Sequence, residues 1–131
     1  MSGSKPIMYV DHSEVREGKL DDLKTGIKEL AELVEAKEPR IISYSAYFSQ
    51  GGKRMTVIHI HPDSASLDFH MKVAGPMFAR FADYVRLLTI NVYGDISEDL
   101  LEQLRRKAQM LGNGTVTAHE LHAGFARFPV R

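Results

Sequence analysis

The Gly51-Gly52 pair, with an alternating segment on each side of it, constrains the fold more than any other feature of the sequence. Successive side chains of a β-strand point to opposite faces of a sheet, so alternation of apolar and polar residues is typical of a half-buried strand. Two glycines between two such segments favour a tight hairpin turn. The pattern therefore predicts two antiparallel strands, over about residues 40–50 and 53–61.

The rest of the chain alternates between helix-like and strand-like segments. Apolar residues recur every three or four positions in a helix, and this spacing is clearest over residues 18–37, before Pro39. Gly75-Pro76 is expected to divide a second helical segment into two helices, because proline interrupts a helix interior and favours a helix start. The other predicted elements are a strand at 7–15, a helix from Ser64 to Gly75, a short helix from Pro76 to about Tyr84, a strand at 85–93, a helix from Ser97 to Gly112 and a last strand at 115–125.

The order of these elements, β-α-β-β-α-α-β-α-β, predicts an α+β fold. Its first seven elements follow the ferredoxin-like βαββαβ arrangement, in which helices cover one face of an antiparallel sheet. A length of 131 residues suits one domain, and no repeat or linker divides it. We expect a flexible lead-in at 1–6 and a single domain at 7–131, with a core at 7–94 and a C-terminal extension at 95–131.

The composition excludes several classes of function. The chain has no cysteine, which rules out disulfides, thiolate metal sites and cysteine nucleophiles and fits a cytoplasmic location. Lys plus Arg and Asp plus Glu number 17 each, so no basic surplus indicates nucleic acid or an anionic membrane as a partner. No apolar segment approaches the roughly 20 residues of a spanning helix.

The alternation also predicts which face of the sheet the helices cover. The aliphatic sets are expected to face the helices: Met8 and Val10; Ile42, Ala46 and Phe48; Ile58 and Ile60; Leu88, Ile90 and Val92. The opposite face is expected to carry Tyr9, Asp11, Ser43, Ser45, Tyr47, Met55, Val57, His59, His61, Thr89, Asn91 and Tyr93. Such a mixed face suits a partner sheet with a ligand cavity between the sheets, so we predict a homodimer.

Over residues 7–94 the chain resembles the antibiotic-biosynthesis-monooxygenase-like proteins of the dimeric α/β-barrel superfamily. The resemblance is carried by the element order, by Val15-Arg16-Glu17-Gly18-Lys19 before the long helix, by the Gly51-Gly52 hairpin, and by His61-Pro62-Asp63, Phe69-His70 and Gly75-Pro76. It implies a homodimer with facing sheets and a small-molecule pocket between sheet and helices in each subunit. Some members are cofactor-free oxygenases of aromatic polyketides, and others degrade or bind haem. The chain has no Trp, and no catalytic residue is carried over from those enzymes.

His59 and His61 are the sharpest candidate catalytic residues. Residues two apart on a strand point to one side, roughly 6 to 7 Å apart. His70, on the following helix, is expected to lie near them. Such a cluster suits acid–base catalysis or substrate binding, or a divalent metal bound by all three histidines. Structural histidines that bond to the backbone are the remaining alternative.

Other residues are candidates for substrate binding. Asp11 is expected either to orient an imidazole or to lie in water at a sheet edge. Tyr47, Asn91 and Tyr93 are expected either to bind a polar aromatic ligand or to fill the dimer interface. The helical residues Phe69, Met77, Phe78 and Phe81 suit either an apolar pocket wall or the core.

Three hypotheses of function follow. The first is a small monooxygenase-like oxidoreductase that acts on an aromatic or polyketide-like molecule and requires no cofactor. The second is a protein that binds a small molecule or haem without turnover, with one histidine as an axial ligand if haem is bound. The third is a metal-dependent enzyme built on the histidine cluster.

Overall fold

The computed structural model describes residues 5–128 and contains five strands and three helices. The elements are β1 (Ile7–Val15), α1 (Leu20–Lys37), β2 (Ser43–Phe48), β3 (Arg54–His61), α2 (Ser64–Phe81), β4 (Val85–Tyr93), α3 (Glu98–Leu111) and β5 (Thr115–His119). The strands form one sheet in the order β2-β3-β1-β4-β5, and all neighbouring strands are antiparallel except β4 and β5, which are parallel. The predicted α+β ferredoxin-like fold is confirmed.

The segment around Gly75-Pro76 differs from the prediction of two helices. It belongs to one helix, α2, which passes through Pro76 without a break. Proline removes one backbone hydrogen bond from a helix interior, at a cost of about 3 kcal/mol. Ala74, Phe78 and Phe81 are buried on the same side of α2. Burial of this continuing apolar stripe offsets the lost hydrogen bond.

The last strand is shorter than the predicted range of 115–125. It ends at His119 because its strand partner, β4, ends at Tyr93, the residue that pairs with His119. The Gly94 N–H donates to the His119 carbonyl and closes this ladder. Residues 120–128 have no strand to pair with and carry no regular secondary structure.

The helices cover the opposite face of β1 and β3 from the one predicted. Tyr9 and His59 are cross-strand neighbours and are at most 1% exposed, whereas Met8 is 40% exposed. The covered residues are Ile7, Tyr9, Asp11 and Ser13 in β1 and Met55, Val57, His59 and His61 in β3. For these two strands the predicted assignment was wrong. It was right for Ala46, Ile90 and Val92, which lie on the covered face, and for Tyr47, Asn91 and Tyr93, which lie on the open face.

The core lies between the covered face of the sheet and the three helices. Each helix contributes an apolar stripe: Leu23, Ile27, Leu30 and Val34 from α1; Leu67, Met71, Ala74, Phe78 and Phe81 from α2; Leu100, Leu104, Ala108 and Leu111 from α3. Within residues 5–128 no helix has the length and apolar character needed to cross a membrane.

Candidate functional site

Polar side chains interrupt this core in one place. The buried polar cluster, as we call it, consists of Tyr9, Asp11, Glu38, Tyr44, His59, His61, Ser66, His70 and Lys107. All of these except the partly buried Tyr44 are at most 9% exposed. Burial of so many ionisable groups costs stability unless they pair with one another. The pairing falls into two groups of residues.

The first group consists of Tyr9, Asp11 and Lys107. The Tyr9 hydroxyl donates to Asp11 Oδ2 over 2.6 Å, and Lys107 Nζ donates to the Tyr9 oxygen over 2.8 Å. Lys107 Nζ is 3.8 Å from Asp11 Oδ2 and 4.3 Å from the ring centroid of Phe78. A lysine, a tyrosine and a carboxylate therefore form one hydrogen-bonded group inside the protein.

The second group contains the three predicted histidines. His59 Nδ1 is 2.7 Å from His61 Nε2, and His61 Nδ1 is 2.7 Å from Ser66 Oγ. His70 Nδ1 lies 2.8 Å from Glu38 Oε2. The ring centroids of His59 and His70 are 4.5 Å apart, so the structure brings all three histidines together.

His59 connects the two groups. Its ring stacks on Tyr9 with the centroids 4.1 Å apart and on Tyr44 at 5.4 Å. The stacking follows from register, because His59 pairs with Tyr9 of β1 on one side and with Tyr44 of β2 on the other. The cluster therefore runs without interruption from Lys107 to Glu38.

Burial sets the protonation of the histidines. Desolvation lowers the pKa of His59 well below its usual value, and the nearby His70, His61 and Lys107 lower it further. Desolvation, with a contribution from His70, lowers the pKa of His61 to about 3. The pKa of His70 is also lowered by burial, although its hydrogen bond to Glu38 opposes the shift. At neutral pH His59 and His61 are therefore neutral, and burial makes each of them a weaker base than an imidazole in water.

Burial acts on the first group as well. It raises the pKa of Asp11, and Lys107 partly offsets this effect. It lowers the pKa of Lys107, and Asp11 partly offsets that. The pKa of Tyr9 is raised by burial and by the adjacent Asp11. The pKa values of Asp11 and Lys107 are therefore closer together than those of the same groups in water, whereas Tyr9 keeps its proton more firmly.

Two buried polar atoms of the cluster have no hydrogen-bond partner among the described residues: His59 Nε2 and Glu38 Oε1. An unsatisfied buried polar atom costs about 1–3 kcal/mol. Both atoms belong to side chains whose other polar atom is bonded within the cluster. They are the points at which a bound molecule would gain a hydrogen bond that the protein does not already make.

Two cavities adjoin the cluster. A cavity of about 40 Å³ inside the helix–sheet layer has Asp11, Ser13, Tyr44 and Lys107 as its polar lining, and its apolar lining includes Phe78 and Phe81. A cavity of about 310 Å³ at the surface is lined by Glu38, Pro39, Arg40, Ile41, Ala65, Ser66 and Phe69. Asp63 accepts from Arg40 beside this surface cavity and also caps α2 through the Ser66 N–H.

The cofactor alternatives fit this arrangement poorly. Among residues 5–128 no group of three or more His, Asp or Glu side chains is arranged to hold a metal ion. His59 and His61 are bonded to each other across 2.7 Å rather than directed at a common point. The inner cavity of about 40 Å³ has room for a water molecule or so, and therefore none for a haem.

The candidate binding residues are divided between different parts of the molecule. Asp11, Phe78 and Phe81 line the inner cavity, and Phe69 lines the surface cavity. Met77 is partly buried and packs on the core. Tyr47, Asn91 and Tyr93 lie on the open face, whereas His59 and His61 lie on the covered face. Tyr93 stacks on His119, and the two residues line an open-face groove of about 640 Å³ with residues 120–123 and 125–128.

Several residues of the cluster were missed, although the sequence carries a signal for some of them. Lys107 lies in the apolar stripe of α3, three positions after Leu104 and four before Leu111. Glu38 continues the α1 stripe of Leu30 and Val34 at the same spacing of four. A charged residue in an apolar stripe is unusual and indicates a buried partner. Tyr9, Tyr44 and Ser66 carry no comparable signal.

Comparison with known proteins identifies the fold. MupZ from Pseudomonas fluorescens is 19% identical, covers 97% of this chain and 93% of its own, and superposes with a TM-score of 0.72. SnoaB from Streptomyces nogalater, a cofactor-independent oxygenase, is 11% identical over 68% of this chain and 91% of its own, with a TM-score of 0.59.

A candidate antibiotic biosynthesis monooxygenase from Bacteroides thetaiotaomicron is 20% identical over 63% of this chain and 82% of its own, with a TM-score of 0.53. No family model and no curated protein sequence matches the chain. The similarity to MupZ extends over the C-terminal extension, whereas the other two structures match about two thirds of the chain. The chain therefore has the ferredoxin-like fold of the antibiotic-biosynthesis-monooxygenase-like proteins.

Proposed function

We propose that this protein is an enzyme that transfers protons to and from a small organic molecule, which enters the helix–sheet layer by displacing side chains around the inner cavity of about 40 Å³. The observation that carries the proposal is the buried polar cluster itself. Burial of its Lys107–Tyr9–Asp11 group and of its neutral histidines costs stability. Titratable groups whose pKa values are shifted by burial and by a specific charged partner are typical of catalytic sites.

The geometry assigns a role to each group. We assign the role of base to His59 on geometry, because its buried Nε2 has no hydrogen-bond partner among the described residues and its ring is unprotonated at pH 7. Lys107 is the donor that stabilises an anion, because it lines the inner cavity and its ammonium donates to the Tyr9 oxygen. Tyr9 stacks on His59 and bonds to both Lys107 and Asp11, so it positions the base relative to the donor.

The reaction we favour is cofactor-independent oxygenation of an aromatic or polyketide-like molecule. Loss of a proton to His59 would leave a delocalised anion, which can transfer electrons to O₂ directly. One oxygen atom would enter the substrate, and the other would leave as water with two hydrogens taken from the substrate. SnoaB, a cofactor-independent oxygenase with the same fold, supports this choice.

A second reaction class shares the same base. The cluster holds proton donors, Lys107 and Tyr9, next to its acceptors, and an acid paired with a base is what isomerisation or the addition or elimination of water needs. Such a reaction would consume the substrate without consuming oxygen. An oxygen electrode therefore separates the two classes.

The test is turnover of a panel of phenolic and polyketide-like aromatic compounds without added cofactor, with oxygen uptake recorded alongside substrate loss. His59→Gln and Lys107→Met are expected to lower kcat by about 100-fold or more, which is the usual contribution of a general acid or base. Tyr9→Phe is compared with Tyr47→Phe, because Tyr47 lies on the open face and is 57% exposed. We expect Tyr9→Phe to slow turnover and Tyr47→Phe to leave it unchanged. Wild-type rates in His59→Gln and Lys107→Met would contradict the proposal.

We also propose that the open face of the sheet pairs with a second copy of the chain. Met8 and Tyr93 are each 40% exposed there, beside Val10, Ile58 and Ile60. An apolar face of this kind favours an interface. Light scattering after gel filtration should give a dimer for the wild type and a monomer for Met8→Lys. The matched control Met110→Lys changes an exposed methionine on α3 and should remain dimeric. A monomeric wild type would refute the pairing.

A further inference from the structure

Lys107 is a buried lysine that lines an internal cavity. Its side chain is 9% exposed, and it shares the lining of the inner cavity of about 40 Å³ with Asp11. The rest of that lining is mostly apolar and includes Phe78, Phe81 and Leu87. The ring centroid of Phe78 lies 4.3 Å from Lys107 Nζ. A lysine placed in this way can contact a small molecule in the cavity while bulk water is kept away.

Two neighbours provide a route by which Lys107 can lose a proton. Lys107 Nζ donates to the Tyr9 oxygen over 2.8 Å, and the Tyr9 hydroxyl donates to Asp11 Oδ2 over 2.6 Å. When Nζ gives a proton to Tyr9 and Tyr9 gives its own to Asp11, a neutral amine and a neutral carboxylic acid remain. The net charge of the group is zero before and after this transfer. Burial shifts the balance towards the neutral pair, because it raises the pKa of Asp11 and lowers the pKa of Lys107.

A neutral lysine amine is a nucleophile, and desolvation in an apolar pocket is one way in which proteins activate it towards carbonyl compounds. The amine nitrogen forms a bond to the carbonyl carbon and gives a proton to the former carbonyl oxygen, which yields a neutral carbinolamine. The proton held by Asp11 then returns through Tyr9 to the carbinolamine hydroxyl. That hydroxyl leaves as water while the C=N bond forms. The sum is one ammonium and one carbonyl converted to one iminium and one water, with Asp11 again a carboxylate.

We propose that Lys107 forms a Schiff base with a ketone or aldehyde group of the substrate. The proposal rests on the proposed function and narrows its substrate to a carbonyl compound, a group that polyketide-like molecules carry. The iminium keeps the positive charge of Lys107 beside Asp11, so no additional charge is buried. It also withdraws electrons from the adjacent carbon and eases the loss of a proton from that carbon, which is the step that the proposed base performs.

The first test compares lysines within the wild-type protein by reductive methylation. Formaldehyde is small enough for the inner cavity and forms an imine with a neutral lysine amine, which cyanoborohydride reduces to a stable methylamine. Peptide mass spectrometry of a partly reacted sample gives the rate for each lysine. Lys72 is the matched control, because its ammonium also pairs with an aspartate, Asp68 at 3.5 Å, but its side chain is 72% exposed.

The expected rates differ in sign between the two readings of Lys107. A lysine with the ordinary pKa of about 10.4 is neutral in about one molecule in a thousand at pH 7.4, which limits the rate at Lys72. We expect Lys107 to be methylated roughly tenfold faster or more. A lysine buried only for structure is shielded and reacts more slowly than an exposed one, and unfolding would at most make it equal. Methylation of Lys107 at or below the rate of Lys72 would overturn the proposal.

The second test uses ketones from the panel of aromatic and polyketide-like compounds, again with cyanoborohydride. A trapped adduct adds the mass of the ketone less one oxygen atom, because water leaves and two hydrogens are added. The adduct should lie on the peptide that contains Lys107 and should be absent from Lys107→Arg, which keeps a positive charge but supplies no lysine amine. The modified peptide is identified in the wild type, so the result does not depend on folding of the variant. No adduct, or adducts spread over exposed lysines, would contradict the proposal.

The outcomes separate the Schiff base from the proposed function. If Lys107 is not trapped but Lys107→Met still abolishes turnover, the Schiff base is refuted and Lys107 acts only as a non-covalent donor. If Lys107 is trapped while His59→Gln keeps full turnover, the Schiff base stands and the proposed role of His59 as the base fails.

Discussion

Acid should destabilise this protein in a range where most proteins remain stable, because its buried histidines must stay neutral. His61 has its pKa lowered to about 3 in the folded state. The unfolded chain binds a proton at His61 below its ordinary pKa of about 6.5, so between the two values the unfolded state holds one more proton. Stability that is complete above about pH 6.5 is therefore lost as the pH falls towards about 3.

The magnitude follows from the shift. Each pKa unit corresponds to about 1.4 kcal/mol, so His61 alone accounts for about 5 kcal/mol over the whole range. Between pH 6.5 and 5 its share is about 2 kcal/mol, before most carboxylates begin to protonate. His59, whose pKa is lowered well below its usual value, adds a loss of the same sign in this range.

Urea denaturation at closely spaced pH values between 7 and 5 measures the effect. His61→Asn should reduce the loss of unfolding free energy over this range by about 2 kcal/mol relative to the wild type, whatever its stability at pH 7. His122→Asn removes an exposed histidine and is the control. If the wild type and His61→Asn lose the same free energy between pH 7 and 5, His61 is not held neutral in the folded protein.

Three further predictions concern the fold around the site. Asp11→Asn and Lys107→Met should each destabilise the protein by about 3 kcal/mol, because each change leaves a buried charge or donor without its partner. The double variant should lose less than the sum of the two single losses. Urea denaturation of the wild type, the two single variants and the double variant gives the coupling energy. Gly75→Ala should stabilise the protein by about 0.5–1 kcal/mol, because Gly75 lies in α2 and a Cβ there meets nothing within 4 Å. Gly114→Ala should instead lower the thermal midpoint, because its Cβ would lie 2.7 Å from the Leu87 carbonyl oxygen; an unchanged midpoint would contradict that contact.

Local patterns in the sequence were sufficient to predict the fold. The Gly51-Gly52 turn and the two alternating segments depend on interactions between near neighbours, and the hairpin they predict is present as β2 and β3. The strand at 85–93 and the Ser97 cap of α3 follow from equally local chemistry. These features are predictable because secondary-structure propensity and hydrophobic periodicity depend on residues close together in the sequence.

Local patterns did not predict which face of the sheet the helices cover, because that choice depends on residues far apart in the sequence. Tyr9 and His59 look more polar than Met8 and Ile58, so aliphatic content assigns them to the wrong side. Their burial depends on Lys107, which lies 98 residues beyond Tyr9 and bonds to it, and on His61, which bonds to His59 Nδ1 and is itself bonded to Ser66. The sequence therefore predicted that the histidines form a cluster, but it placed that cluster on the wrong face of the sheet.

Strand β1 carries residues of both the buried polar cluster and the surface proposed for pairing, one set on each face of the sheet. Its residues alternate between the cluster, with Tyr9 and Asp11, and the open face, with Met8 and Val10. A slip of one residue would exchange the two sets, so register in this strand controls both the site and the surface proposed for pairing. The two should respond independently to substitution. Met8→Lys should alter the oligomeric state without changing turnover, and Tyr9→Phe should do the reverse. A change of both properties in either variant would show that the interface and the cluster are coupled through the sheet.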